Sequence, residues 1–180
     1  MLIAFAGLPG TGKTSIAREL ARRLRATYLR VDTVEQALRS CGTLENVVAE
    51  GYEAIYRLAE DNLNLGLTVI ADSVNPLEIT REAWAEVARE ANVRLTNVEI
   101  ICSDEAEHRR RVETRSSDIA DLVLPTWEKV KSREYHLWTQ PRIVIDTAGR
   151  SINTWRMTPI SSRSSWPVRK IKYLPGCHSN

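Results

Sequence analysis

The residues with the clearest chemical capacity stand near the start of the chain, in Gly7-Leu8-Pro9-Gly10-Thr11-Gly12-Lys13-Thr14. Their spacing is that of a loop that wraps phosphate, G-x-x-x-x-G-K-[ST]. Gly7, Gly10 and Gly12 let backbone N–H groups turn inward around anionic oxygens, where Cβ atoms would obstruct them. Lys13 has the length and charge to reach β and γ phosphates, and the Thr14 hydroxyl suits Mg²⁺. Pro9, Thr11 and Ser15 complete the set expected to line a bound nucleoside triphosphate.

Two carboxylates follow at matching places. Asp32 ends the apolar-flanked run Thr27-Tyr28-Leu29-Arg30-Val31, and Asp72 ends Leu67-Thr68-Val69-Ile70-Ala71. Asp32 is placed to take a proton from an acceptor hydroxyl, or to hold that hydroxyl in line with the γ-phosphate. Asp32-x-x-Glu35 also reads as the capping box of a helix, a role that leaves the side chain free to face a pocket. Asp72 suits the metal side of a phosphate site. Its neighbour Ser73 is not the glutamate that a mechanical ATPase uses to activate water, which favours transfer to an organic acceptor. Arg111 and Arg115 share a helical face, and two guanidinium groups over a triphosphate would neutralise its developing charge. The same segment carries Glu105–Arg109 and Glu107–Arg111 spacings, which stabilise any solvated helix. His108, His136 and His178 lack partners that suggest a metal or a triad, and His108 reads as a surface residue.

These groups need a scaffold that brings them to one edge. Leu2 to Ala6 is a short apolar run, and Ser15 to Arg25 repeats apolar residues at helical spacing. Strands are expected at 27–31, 67–71, 98–102 and 142–146, with helices over 33–39, 45–65, 76–91, 103–115 and 125–135. Asn75-Pro76-Leu77-Glu78 reads as an N-cap and first turn, and Ser103 as another N-cap. Alternating strands and helices imply an α/β fold, a parallel sheet in three layers, with ligands beyond the carboxyl ends of the strands. Asp146-Thr147-Ala148-Gly149 imitates the magnesium-sensing tetrapeptide of small GTPases. It follows the fifth strand rather than the third, and no Asn-Lys-x-Asp motif accompanies it. Its backbone is instead placed to flank an adenine.

The totals limit the classes. The chain has 180 residues and a net charge of +2, enough for one domain with a real core. Six basic residues and no acidic ones lie from Arg150 onward, which leaves 19 basic and 23 acidic residues before it. A body of that balance argues against nucleic acid as the partner. No secretory leader or membrane span is expected, and Cys41, Cys102 and Cys177 show neither C-x-x-C nor zinc spacing, as in a reduced cytoplasmic setting.

With these motifs in place, residues 1–149 resemble the small bacterial phosphate-loop kinases, AAA-type ATP-binding proteins that include chloramphenicol phosphotransferase-like, gluconate-kinase-like and adenylylsulfate-kinase-like members. The resemblance rests on the loop at 7–14, the aspartate after strand two, the Asp72, Asn75-Pro76 and Arg81 block, and the Arg111/Arg115 pair. It implies a P-loop NTPase fold with strand order 2-3-1-4-5 and a lid near 111–124. It further implies ATP with Mg²⁺ as donor and phosphorylation of a small hydroxyl compound, with Glu35, Asn75 and Arg81 beside Asp32 as acceptor contacts. The chain departs from the subgroups: Val31-Asp32-Thr33-Val34-Glu35 replaces the Leu-Asp-Gly-Asp block of adenylylsulfate kinases, and no gluconate-kinase acceptor signature is found. Neither substrate carries over. Residues 150–180 lack the usual closing helix and form a basic, irregular arm, open to docking, a homodimer contact or an altered terminus. Trp155 and Trp166 beside basic residues keep a polynucleotide 5′-end kinase as one rival reading. A regulatory or toxin-like nucleotide-binding protein is the other.

Overall fold

The computed structural model describes residues 1–42 and 49–150. The basic arm predicted for 150–180 therefore lies, from residue 151 on, outside the described residues, as does Cys177. β1 (Leu2–Ala6) has no polar side chain and is buried along its whole length, as a central strand covered on both faces must be. After it come α1 (Lys13–Leu24), β2 (Thr27–Arg30), α2 (Val31–Ser40), α3 (Ala49–Asn64), β3 (Val69–Asp72), α4 (Glu78–Glu90), β4 (Leu95–Ile101), α5 (Glu105–Thr114), α6 (Trp127–Lys131) and β5 (Ile143–Asp146).

The five strands form one sheet in the order β2-β3-β1-β4-β5, and every pairing is parallel. This is the expected α/β fold and strand order. Alternation along β1 sends Leu2 and Ala4 to one face, with Ile55, Ala59 and Leu63 of α3 and Trp84 and Val87 of α4. Ile3 and Phe5 go to the other face, with Ile16, Ala17 and Leu20 of α1. The register sets Phe5 and Arg30 level with Asp72, so the carboxyl ends of β1, β2 and β3 make one crest. The glycine loop, Asp32 and Asp72 all stand on it.

Several boundaries move. Asp32 does not end β2; it lies in the first turn of α2, whose N-cap is Arg30, and no side chain caps that helix, so the capping-box reading of Asp32 fails. Asn75 caps nothing either: α4 starts at Glu78 after Leu77, and Asn75 holds a left-handed φ of 47°. α5 is capped by Asp104, which accepts from the Glu107 N–H, rather than by Ser103. The helix expected over 125–135 closes at Lys131. The chain then runs as a strap over the polar face of β4, where Asn97 and Glu99 are buried. Glu99 accepts from Tyr135 OH at 3.0 Å and Arg142 Nε at 2.5 Å, so the strap satisfies side chains that a helix would leave unpaired.

Candidate active site

The phosphate loop is built by exclusion. Gly7, Gly10 and Gly12 have φ values of 131°, 87° and 94°, all in the region that favours glycine. A Cβ on Gly7 would lie 2.1 Å from the Ile100 carbonyl oxygen, and one on Gly10 would lie 2.5 Å from Val112 Cγ2. The loop is held from outside at four points. Gly7 N–H donates to Val74 O at 3.0 Å, and the Thr147 hydroxyl lies 2.8 Å from Thr11 O. His108 Nε2 lies 2.8 Å from Pro9 O, and Leu8 packs on Val112, Trp127 and Val130. Thr14 and Ser15 stand half-buried in the first turn of α1, where the helix's positive end supports an anion.

Lys13 is buried and donates from Nζ to Leu8 O at 3.2 Å. Burial pushes its pKa down, and the charges of Asp72 and then Asp32 push it back. Asp72 and Asp32 are both near enough for their charges to act on Lys13, in different surroundings. Asp72 is only 2% exposed and accepts from Tyr28 OH at 2.7 Å. The Asp32 side chain is 47% exposed, with Arg30 Nε at 3.5 Å. One carboxylate is locked into the crest; the other is open to a ligand.

The arginine pair divides. Arg115 Nε is buried with no hydrogen-bond partner. Burial lowers the pKa of its guanidinium, and the charge of Asp32 opposes this. Arg111 does not stand over the loop as a free lid group. It donates to Thr147 Oγ1 at 2.8 Å, Thr147 O at 2.9 Å and Glu107 at 2.6 Å. Those bonds tie α5 to the turn after β5, and the solvated-helix reading of Glu107–Arg111 accounts for part of them.

On the acceptor side, Glu35 is half-buried, and burial raises its pKa against an ion pair with Arg39. Gly51 admits it, because a Cβ there would lie 2.5 Å from Glu35 Cγ. Asn75 is fully buried and its amide has no hydrogen-bond partner. Arg81 corrects an expectation. Its guanidinium is 1% exposed and donates to Asn75 O, Leu137 O, Pro76 O and His136 O at 2.8–3.2 Å. Backbone carbonyls take four of its five N–H groups, so it holds the floor of the site rather than a ligand. Trp138 covers it at 4.0 Å from the ring centroid.

Sequence reading missed Tyr28, Arg30, Tyr52 and His108, and it read Thr147 for its backbone rather than for the hydroxyl that meets Thr11 O. Tyr28 and Arg30 were within reach, since a period of two puts them on one face of the strand that leads to Asp32. Tyr52 approaches Ser73, and burial pushes its pKa up to about 12. His108, expected on the surface, is 6% exposed. Only the roll of α5 against the loop reveals it.

No curated protein matches the sequence. Among solved structures, a candidate kinase from Chloroflexus aurantiacus J-10-fl is 21% identical, with a TM-score of 0.66 over 85% of this chain and 92% of its own. A sugar kinase from Janibacter sp. HTCC2649 is 15% identical, TM-score 0.59, covering 86% and 89%. The APS kinase of Mycobacterium tuberculosis, solved with AMPPNP and APS, is 21% identical, TM-score 0.56, covering 86% and 92%. These likenesses show a shared fold. Residues 2–135 match the AAA domain family AAA_33, and with the glycine loop and its two carboxylates inside that span, the chain belongs to this family of AAA domains.

Proposed function

We propose that this protein is a phosphotransferase that moves the γ-phosphoryl group of ATP to a hydroxyl of a small-molecule acceptor. The observation that carries the reading is the contrast between the two carboxylates beside Lys13: Asp72 buried, Asp32 open. An enzyme that hydrolyses ATP to do mechanical work has no need of an accessible carboxylate facing a second substrate. A kinase does.

In this reading Lys13 leaves Leu8 O for the β and γ phosphates, while the loop N–H groups and the α1 terminus cradle them. Asp32 orients the acceptor hydroxyl and takes its proton as the oxygen bonds to phosphorus. The bond to the β–γ bridging oxygen breaks, and ADP leaves. Arg115 brings its unpartnered Nε to the transferring group, where preorganised positive charge stabilises the transition state. Thr14 and Asp72 flank the cradle with hard oxygen donors, the kind Mg²⁺ takes together with phosphate oxygens. Among the described residues no cluster of three His, Cys, Asp or Glu side chains forms a metal cage, which agrees with an ion that arrives with the nucleotide. When bound, it neutralises phosphate charge. The shared fold of proteins named sugar kinase and APS kinase supports the reading. No helix among the described residues is long and apolar enough to cross a membrane, and we place the protein in the cytoplasm.

The test is ADP release from ATP and Mg²⁺ across a panel of hydroxyl-bearing metabolites. One acceptor should raise turnover above background. With it, Lys13→Ala and Asp32→Asn should each lose on the order of a hundredfold in kcat. The proposal is abandoned if calorimetry detects no uptake of ATP or GTP, or if Asp32→Asn keeps full activity.

A further inference from the structure

The His108 ring touches the outside of the phosphate loop, and nothing in the proposed chemistry uses it. Its Nε2 lies 2.8 Å from Pro9 O, and since a carbonyl only accepts, Nε2 carries the proton. The ring is 6% exposed and packs edge-on against Trp127, at 5.2 Å and 83°. Val112, one turn further along α5, fills the space beside Gly10. The imidazole therefore has a fixed orientation, and so has the carbonyl it holds.

That carbonyl belongs to the Pro9–Gly10 peptide, which is planar and trans, so its C=O and N–H point to opposite sides. Holding the Pro9 carbonyl outward, against α5, turns the Gly10 N–H inward. The preceding peptide is arranged the other way. The Leu8 carbonyl faces Lys13 and Thr11 within the loop, and Pro9 has no N–H to lose on the far side. With φ at 87° on Gly10, little in the local sterics stops the Pro9–Gly10 unit from turning over. A turned peptide would set a carbonyl dipole against the phosphates.

We infer that His108 is a positioning residue for nucleotide binding: by holding the Pro9 carbonyl it keeps the Gly10 N–H aimed at the phosphate chain. This rests on the reading of the loop as a nucleotide cradle, though not on any acceptor. Its test therefore stands apart from the turnover assay. Calorimetry is run with β,γ-imido-ATP and Mg²⁺, and with inorganic triphosphate, on three proteins. His108→Phe keeps the ring packing on Trp127 and loses the donor. His108→Gln keeps a donor N–H at about the same reach. The loss of one hydrogen bond to a charged group predicts about tenfold to a hundredfold weaker binding of both probes by His108→Phe. His108→Gln should return most of the affinity. Melting temperatures without ligand report packing separately. The inference is overturned if His108→Phe binds like the wild type, or if both variants weaken equally, which would make His108 mere filling. If the wild type binds neither probe, the cradle reading itself fails.

Discussion

Lys13 is buried, with the Leu8 carbonyl as its hydrogen-bond partner and the charges of Asp72 and Asp32 acting on it from further off. Burial lowers its pKa from 10.5. In the window between that lowered value and 10.5 the unfolded chain binds the extra proton, so the group's contribution to stability rises with pH there, and below the window its full cost is present. The nucleotide-free protein should therefore gain stability when the charge is removed. Lys13→Met should melt about 2–4 °C above the wild type at pH 7, a gain of roughly 1 kcal/mol, with the gap closing toward pH 10. With β,γ-imido-ATP and Mg²⁺ the order should reverse, because only the wild type gains from ligand. A lower melting temperature for the free variant, read by scanning fluorimetry at both pH values, would refute this account of the site. Residues of this kind were legible, since the loop's spacing, its lysine and the aspartates that follow two apolar runs are local patterns. Arg111, Arg81 and His108 were not. Their roles depend on the carbonyl oxygens of segments 36, 56 and 99 positions away, and no local pattern encodes those distances.

At the scale of elements, the segment read as a lid over 111–124 splits. Its first four residues continue α5, and the irregular part after Arg115 is docked through Asp118. Asp118 accepts from Arg30 at 2.9 Å and also pairs with Arg18 of α1. Hydrogen bonds from Arg30 and then Arg18 hold its pKa down to about 2. The folded pKa is depressed, so the docking contribution is complete above about pH 4 and is lost as pH falls from there toward 2. Both Asp118 and Arg18 are about half exposed, which limits the latch to about 1 kcal/mol and makes it sensitive to salt. Asp118→Asn should therefore speed amide exchange severalfold in residues 116–124 at pH 7 and leave α1 unchanged. Salt at 1 M should bring the wild type toward the variant, while moving between pH 6 and 8 should not. Uniform protection in both proteins would show that something else holds the segment. The boundaries of α4, α5 and α6 slipped in sequence reading for a related reason. Asn75, Ser103 and residues 132–135 carry helix-start or helix-continuing signals, and tertiary partners compete with them: Gly7 N–H donates to Val74 O beside Asn75, Ser103 N–H donates to Asp146, and the Tyr135 hydroxyl donates to Glu99.

Across the whole molecule the strand order and the two-faced core were readable, because β1 is apolar on both faces, β3 is apolar up to Asp72, and α1, α3 and α4 carry one apolar stripe each. The strap from Arg133 to Arg142 was not, because it has no period. It closes the sheet at β4 and reaches back to the site through Arg81, which links the strap's carbonyls at 136 and 137 to those of Asn75 and Pro76. Two explanations of Arg81 make different forecasts. A residue that binds an acceptor would tolerate lysine for folding and fail in acceptor affinity. A residue that joins two segments would fail in folding, since an ammonium cannot serve four carbonyls in a plane or lie flat on Trp138. The geometry favours the second. Arg81→Lys should cost about 3 kcal/mol, as expected when a buried charge loses its hydrogen-bond partners. For a chain of this size that lowers the melting temperature by about 6–12 °C. The remaining folded protein at low temperature should still bind β,γ-imido-ATP with unchanged affinity, because the strap meets the acceptor side of the crest and not the cradle. A variant that melts with the wild type would return Arg81 to the list of acceptor contacts, and would mean that the strap's other bonds, among them those of Glu99 with Tyr135 and Arg142 and of Glu78 with Thr139, suffice to hold it.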